Sequence, residues 1–174
     1  MSKILGELML LIEPDKRAPE WGVKLAYALS ADERFYVPPN LYLLGMMNTA
    51  DRSLSLVDYA LRRRFGFVSL QPQFHSAGFR QFLHGRGTPP EIVDLIVTKF
   101  EALNTEIAKD KVRLGPGFKI GHSYFVPRDS SEPLAADWYR EVIECEIAPL
   151  LREYWFDDQK TADGWTESLL EGID

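Results

Sequence analysis

Between residues 41 and 65 the chain reads LYLLGMMNTADRSLSLVDYALRRRF, and no other stretch restricts the fold as tightly. Leu41, Tyr42, Leu43 and Leu44 form an almost wholly apolar run closed by Gly45, the pattern of a strand buried on both faces of a parallel sheet. A polar turn, residues 48–53, follows at once. It puts Asn48, Thr49, Asp51 and Arg52 just past the strand's carboxyl end, where open α/β sheets hold their ligand chemistry. Ser53 can cap a short helix with Leu54, Val57 and Leu61 at helical spacing, and that helix ends in Arg62, Arg63 and Arg64.

Around this unit the hydrophobic pattern divides the chain in two. Residues 2–13 (SKILGELMLLIE) keep Ile4, Leu8, Leu11 and Ile12 on one helical face with Leu5 and Met9 beside it, so a buried helix is expected, one that needs a sheet to cover. After a proline-bounded loop over residues 14–20, residues 23–28 and 34–37 read as two short strands of a hairpin. Residues 66–70 (GFVSL) read as a further strand. Pro72 and the polar residues behind it mark the boundary between an α/β part, residues 1–72, and an all-α part, residues 73–174.

In the second part residues 76–83 can form a short helix. Thr88, Pro89, Pro90 and Glu91 make a start signal with Thr as the cap, and Ile92, Ile96, Phe100, Leu103 and Ile107 follow as an amphipathic stripe. Residues 112–126, with Gly115, Pro116, Gly117 and Gly121, read as a loop. Residues 134–154 read as one helix broken near Pro149 or two in succession, with Trp138 and Val142, then Leu150, Leu151 and Tyr154, facing inward. Trp165, Leu169 and Leu170 mark a last short helix.

A hydrophobic content of 45% and a charged content of 26% exclude a disordered chain. No apolar run reaches membrane-spanning length and no signal-peptide pattern precedes the first helix, so a cytoplasmic location is expected. The single Cys145, among apolar residues, reads as a buried, inert thiol. A net charge of −6 provides no basic footprint for a nucleic-acid duplex. Residues 129–174 hold 13 of the 26 acidic residues, whereas Arg52, Arg62, Arg63 and Arg64 fall within one short stretch. A concentrated positive site on an acidic body fits a small polyanion such as a triphosphate.

Asn48 carries the sharpest chemistry, since an amide at a strand tip can orient an attacking water against a terminal phosphate without changing charge; the plainer reading is that Asn suits turns. Asp51 could hold Arg52 or a backbone turn, or help order water or magnesium; it also suits a helix start. The three arginines suit a helix end through the helix dipole, and equally an arginine finger presented to a neighbouring subunit. At about 100° per residue they sweep roughly 200°, so at most two serve one site, and Arg62 is taken as the structural one. Residues 115–119 (GPGFK) have the wrong spacing for a phosphate loop. The three histidines and Cys145 have no metal-ligand spacing. His122, in the GHSYF string of residues 121–125, could reach a nucleotide from a loop between helices, or be a satisfied structural histidine.

The MNTADRS string followed by DYALRRRF resembles the AAA+ nucleotide-hydrolysing subunit of modified-cytosine restriction systems, the McrB family. SKILGEL, VPPNLYLLG, GHSYF and PLLREYWFDD extend the resemblance over most of the chain. It implies the C-terminal part of a AAA+ P-loop NTPase core, parallel strands with helices, followed by an all-α helical lid. By the same resemblance Asn48 matches the sensor-one position, Asp51 the acidic member of the NTxD signature, and Arg63 and Arg64 the arginine-finger positions acting on the next subunit's nucleotide. GTP with Mg2+, a ring hexamer and an McrC-type endonuclease partner that contacts DNA are implied likewise; ATP is the alternative nucleotide.

In that family a phosphate-binding loop and a DEINRG-like segment precede SKILGEL, whereas here Met1 directly precedes Ser2. The chain is therefore expected to lack the Lys, Ser/Thr, Asp and Glu of catalysis and to be inactive alone. The competing expectation is a non-catalytic interaction module that packs on a full-length subunit and lends it Arg63 and Arg64.

Overall fold

The computed structural model describes residues 6, 8–30, 32–48, 50, 59–127 and 134–173. The chain divides into two compact units, Met1–Ser69 and Leu70–Asp174.

In the first unit, α1 (Leu8–Leu11) falls within the helix expected over residues 2–13 but is shorter than it among the described residues: Gly6 stands in a turn at a φ of 44°, and Ile12 and Glu13 lie past the helix end; residues 1–5 and 7 lie outside the described residues. Two single-turn 3-10 helices follow, Pro14–Lys16 and Pro19–Trp21. Each opens on a proline, whose missing N–H costs nothing in a first turn. The expected hairpin contracts to one antiparallel pair: Val23 and Phe35 exchange both backbone hydrogen bonds, at 2.9 and 2.8 Å. Gly22 is needed beside it, because a Cβ there would stand 3.0 Å from both the Arg34 Cβ and the Pro19 carbonyl oxygen. Helix α2 (Tyr59–Arg62) carries Leu61 into a small core with Met9 and Ile12, against which Leu8 and Phe65 pack.

The parallel sheet expected from residues 41–44 and 66–70 is not formed among the described residues. Both segments run without ladder partners, and Tyr42, Leu44, Val68 and Leu70 are exposed. A helix closes its hydrogen bonds within itself. An apolar run becomes a strand only where another strand supplies N–H and C=O groups beside it.

The second unit is helical. In α3 (Ala77–Gly85) Ser76 caps as its residue type favours, its hydroxyl accepting the Phe79 N–H at 3.2 Å. Helix α4 (Pro90–Lys109) buries Val93, Ile96, Val97, Phe100, Leu103 and Ile107 along the predicted face. Its cap differs from expectation. Pro89 occupies that position, while Thr88 is buried and its hydroxyl has no hydrogen-bond partner, because the two prolines fix an extended entry that turns Thr88 inward.

Residues 136–154 form one continuous rod: α5 (Ala136–Val142), a π turn (Ile143–Ile147) and α6 (Ala148–Tyr154). The π turn precedes Pro149, whose ring would collide with the carbonyl of Cys145 in a regular α-helix. Across that turn Glu144, Cys145 and Glu146 all face solvent, so the thiol expected to be buried is exposed. Helix α7 (Gln159–Leu170) completes the unit, longer than its apolar pattern indicated because Asp158 caps it, accepting from the N–H and hydroxyl of Thr161 at 3.3 and 3.0 Å. At the centre Phe125 meets Phe100 edge-on with centroids 4.7 Å apart and stacks on Tyr139 at 5.9 Å, so the GHSYF string anchors the connecting loop in the core.

Candidate functional site

Asn48 ends the irregular segment over residues 41–48. Its Oδ1 accepts the Ala50 N–H at 3.0 Å, an Asx turn that bends the chain with the side chain's own acceptor. That bond assigns the oxygen side of the amide. The exposed NH2 end is then the one turned to an outside group, for which a phosphate or water oxygen has the right sign. Thr49, Asp51 and Arg52 lie outside the described residues, as do Ser53 and the first apolar positions of the arginine helix.

Arg17 ties this segment to α1. Its Nη1 donates to the Leu41 carbonyl at 2.7 Å, and its Nε and Nη2 donate to the Ile12 carbonyl at 3.1 and 3.0 Å. One planar guanidinium thus bonds the end of α1 and the start of the 41–48 segment together. Sequence reasoning left Arg17 in a polar loop. The signal available was a cation shortly after an apolar helix, where the last carbonyls want donors.

At the arginine turn, Arg62 and Arg63 are exposed. Arg64 Nη2 pairs with Glu13 Oε1, and the two side chains are 18% and 30% exposed. Arg64, expected with Arg63 to face a neighbouring subunit, is thus held in an ion pair within its own unit. Helix α2 ends at Arg62, and the turn that follows lays Arg64, not Arg62, against the end of α1. Ile12, Arg17, Tyr42, Leu43, Arg64 and Phe65 line a cleft of ≈ 220 Å³, so both arginine-held segments border one space.

His122 belongs to the second unit. Its Nδ1 accepts the Gln73 N–H at 3.1 Å, and its ring stands edge-on to Phe79 and Phe74 with centroids 5.7 and 6.2 Å apart. These contacts fix the ring against the core and leave Nε2 as its other polar atom. A separate cleft of ≈ 420 Å³ opens in that unit between Gln71, Glu101 and Lys119.

Among the described residues no group of three or more His, Cys, Asp or Glu side chains is placed to hold a metal ion. The amide and the arginines are donors suited to phosphate oxygens, and they do not make a ligand set for Mg2+. No described helix is long and apolar enough to cross a membrane.

Comparison with known proteins agrees with this layout. Residues 1–65 match the family model of the AAA domain, dynein-related subfamily, and residues 95–163 match that of the McrB alpha-helical lid domain. The class is therefore an AAA-domain segment followed by a helical lid. Over 172 residues, 98% of its length, the chain is 48% identical to the type IV methyl-directed restriction enzyme EcoKMcrB subunit of Escherichia coli (strain K12), and it spans 37% of that relative. The chain belongs to the McrB family of AAA+ proteins.

Proposed function

We propose that this chain supplies the sensor, the trans-acting arginine and the lid of a AAA+ nucleoside-triphosphatase motor in a DNA restriction system. The observation that carries the reading is that the Asn48 turn and the arginine turn both belong to the unit matched by the AAA domain, with the McrB lid behind it. Asn48 orients the attacking water through its amide, and an arginine of the 63–64 pair meets the phosphates held by the next subunit. Asp51 acts with Asn48 at the same turn. GTP with Mg2+ is the proposed substrate, ATP the alternative, and His122 reaches the nucleotide from the lid. The ion's ligands come from outside the described residues.

Residues 41–44 and 66–70 pair as parallel strands when the rest of an AAA core lies beside them, and residues 1–72 and 73–174 are the two structural parts. The assembly is a cytoplasmic ring, a hexamer, which drives an McrC-type endonuclease and through it contacts DNA. In the test, the full chain replaces the matching segment of the E. coli subunit, and GTP and ATP turnover are measured. Asn48→Ala should lower kcat by about 100-fold. Turnover that Asn48→Ala leaves intact rejects the sensor role.

A second reading is that of a non-catalytic interaction module. On that reading the chain docks on an intact subunit and lends it an arginine without catalysis of its own. Stimulation of a separate, intact subunit by the added chain, lost in Arg63→Ala, would favour it over the first.

A further inference from the structure

We propose that the cleft of ≈ 420 Å³ in the second unit binds a small molecule with a carboxylate at one end and a hydrogen-bond donor, an ammonium or an amide N–H, at the other. Lys119 takes the carboxylate and Glu101 takes the donor. The site belongs to the second unit alone and does not depend on the nucleotide reading above.

Lys119 follows the single 3-10 turn Pro116–Phe118 in the GPGFK string, whose spacing does not make a phosphate loop. Its neighbours on both sides are anchored. Phe118 meets the Tyr154 ring edge-on with centroids 5.3 Å apart, and the Ile120 backbone is held by both ends of the buried Asn104 amide, at 2.6 and 3.0 Å. The backbone that bears Lys119 is therefore fixed against α6 and α4 before any ligand arrives. The ammonium itself is unspent: Lys119 is half-buried and has no hydrogen-bond or ion-pair partner among the described residues. A half-covered cation lining a cleft of this size is satisfied by an anion that enters the cleft.

The opposite charge stands on α4. Glu101 and Thr105 are one helical turn apart on that helix, so they share a face, and both line the cleft. Glu101 Oε1 pairs with His75 Nε2, which holds the carboxylate in place and leaves Oε2 to accept from a ligand. The Thr105 hydroxyl has no partner among the described residues and can serve either end. With one ammonium and one carboxylate on its walls, the cleft repels a phosphate dianion at Glu101 and suits a ligand whose two ends are complementary. Gln71, Pro72 and the buried Phe74 form the remaining wall. They lie at the start of the second unit, so an occupant bonded to Glu101 and Lys119 also fastens that segment to α4.

The probe is γ-aminobutyrate, with acetate and inorganic phosphate as single-ended comparisons. Each is titrated into the 174-residue chain at constant ionic strength while backbone amide NMR shifts are followed. Saturable shifts are expected at residues 71–75, 101–105 and 119–120. γ-Aminobutyrate should bind about tenfold tighter than acetate, the increment of one charge-assisted hydrogen bond, and phosphate no tighter than acetate. Lys119→Met should abolish the response to both carboxylates, whereas Lys111→Met, at an exposed position of the same unit, should leave it unchanged. Glu101→Gln should bring γ-aminobutyrate down toward acetate. If Lys119→Met loses the dispersion of the native spectrum, Lys119→Gln carries the same comparison. The absence of a saturable shift with all three probes, or equal binding by the Lys119 variant, overturns the site. Phosphate as the tightest probe, or γ-aminobutyrate no tighter than acetate, overturns the two-ended ligand. Saturation should also slow backbone hydrogen exchange over residues 72–75, and unchanged exchange there overturns the fastening of that segment.

Discussion

The side-chain amide of Asn104 closes a two-bond ring on the backbone of Ile120, donating from Nδ2 to its carbonyl at 3.0 Å and accepting its N–H on Oδ1 at 2.6 Å. Both residues are buried, so one side chain on α4 satisfies a loop peptide that water does not reach. That peptide directly precedes the GHSYF string, and the ring holds in register the loop that carries His122 and Phe125. Asn104→Ala should cost about 3 kcal/mol by leaving two buried backbone groups unpaired. In a unit of this size the loss should lower the calorimetric midpoint by about 10 to 20 °C. Asn104→Asp keeps the acceptor and loses the donor, and should be no more stable than the alanine variant.

Stability at high pH should follow the buried phenols. Burial raises Tyr139 and Tyr124 above the ordinary tyrosine value and pushes Tyr154 up to about 12. Unfolded phenols ionise near pH 10 while the folded ones keep their protons. Above about pH 10 the unfolded state therefore binds fewer protons and stability falls with rising pH. Lys99 works the other way. Burial lowers it, against the smaller opposing pull of Glu171, so just below pH 10.5 the unfolded state binds more protons and stability rises. Three phenols outweigh one ammonium, and denaturant midpoints should decline from about pH 10 to 12. Tyr154→Phe should make that decline shallower with little change at pH 7. Tyr139→Phe also removes the 2.9 Å bond to the Leu169 carbonyl and should cost about 1 kcal/mol at pH 7.

Arg17→Ala should loosen the segment that ends at Asn48. It removes three hydrogen bonds, two to Ile12 and one to Leu41, and leaves the end of α1 without its donor. Limited proteolysis should cut within residues 41–48 about tenfold faster than in the wild type, as expected for a local opening made easier by about 1.4 kcal/mol. Arg17→Lys, a point charge that cannot span both carbonyls, should fall between the two. Cleavage at an unchanged rate would show that the segment does not depend on this tie.

Cys145 is exposed on the π turn between Glu144 and Glu146. A disulfide reagent should therefore titrate one thiol in the folded chain, without denaturant. A thiol that reacts only in denaturant would contradict the outward face of that turn.

The apolar stripe from Ile92 to Ile107, the short helix near residues 76–83 and the last helix marked by Trp165, Leu169 and Leu170 were legible in the sequence, because a helix closes its hydrogen bonds within four residues and its buried face repeats along the chain. The Asn48 turn and the arginine cluster were legible as well, through a motif of adjacent residues. The strands expected at residues 41–44 and 66–70 were not decidable in the same way, since a strand exists only with its neighbour. Likewise Thr88 has the residue type of a cap, but the two prolines turned it into the core, and Pro149 widened the turn that exposes Cys145. By itself the sequence determined the helical lid, the family and the residue types brought to the arginine turn. Only the tertiary structure decided that Arg64 is held by Glu13, 51 residues away, and that Arg17 ties Ile12 to Leu41, because such pairings depend on where packing brings distant segments and leave no period in the chain.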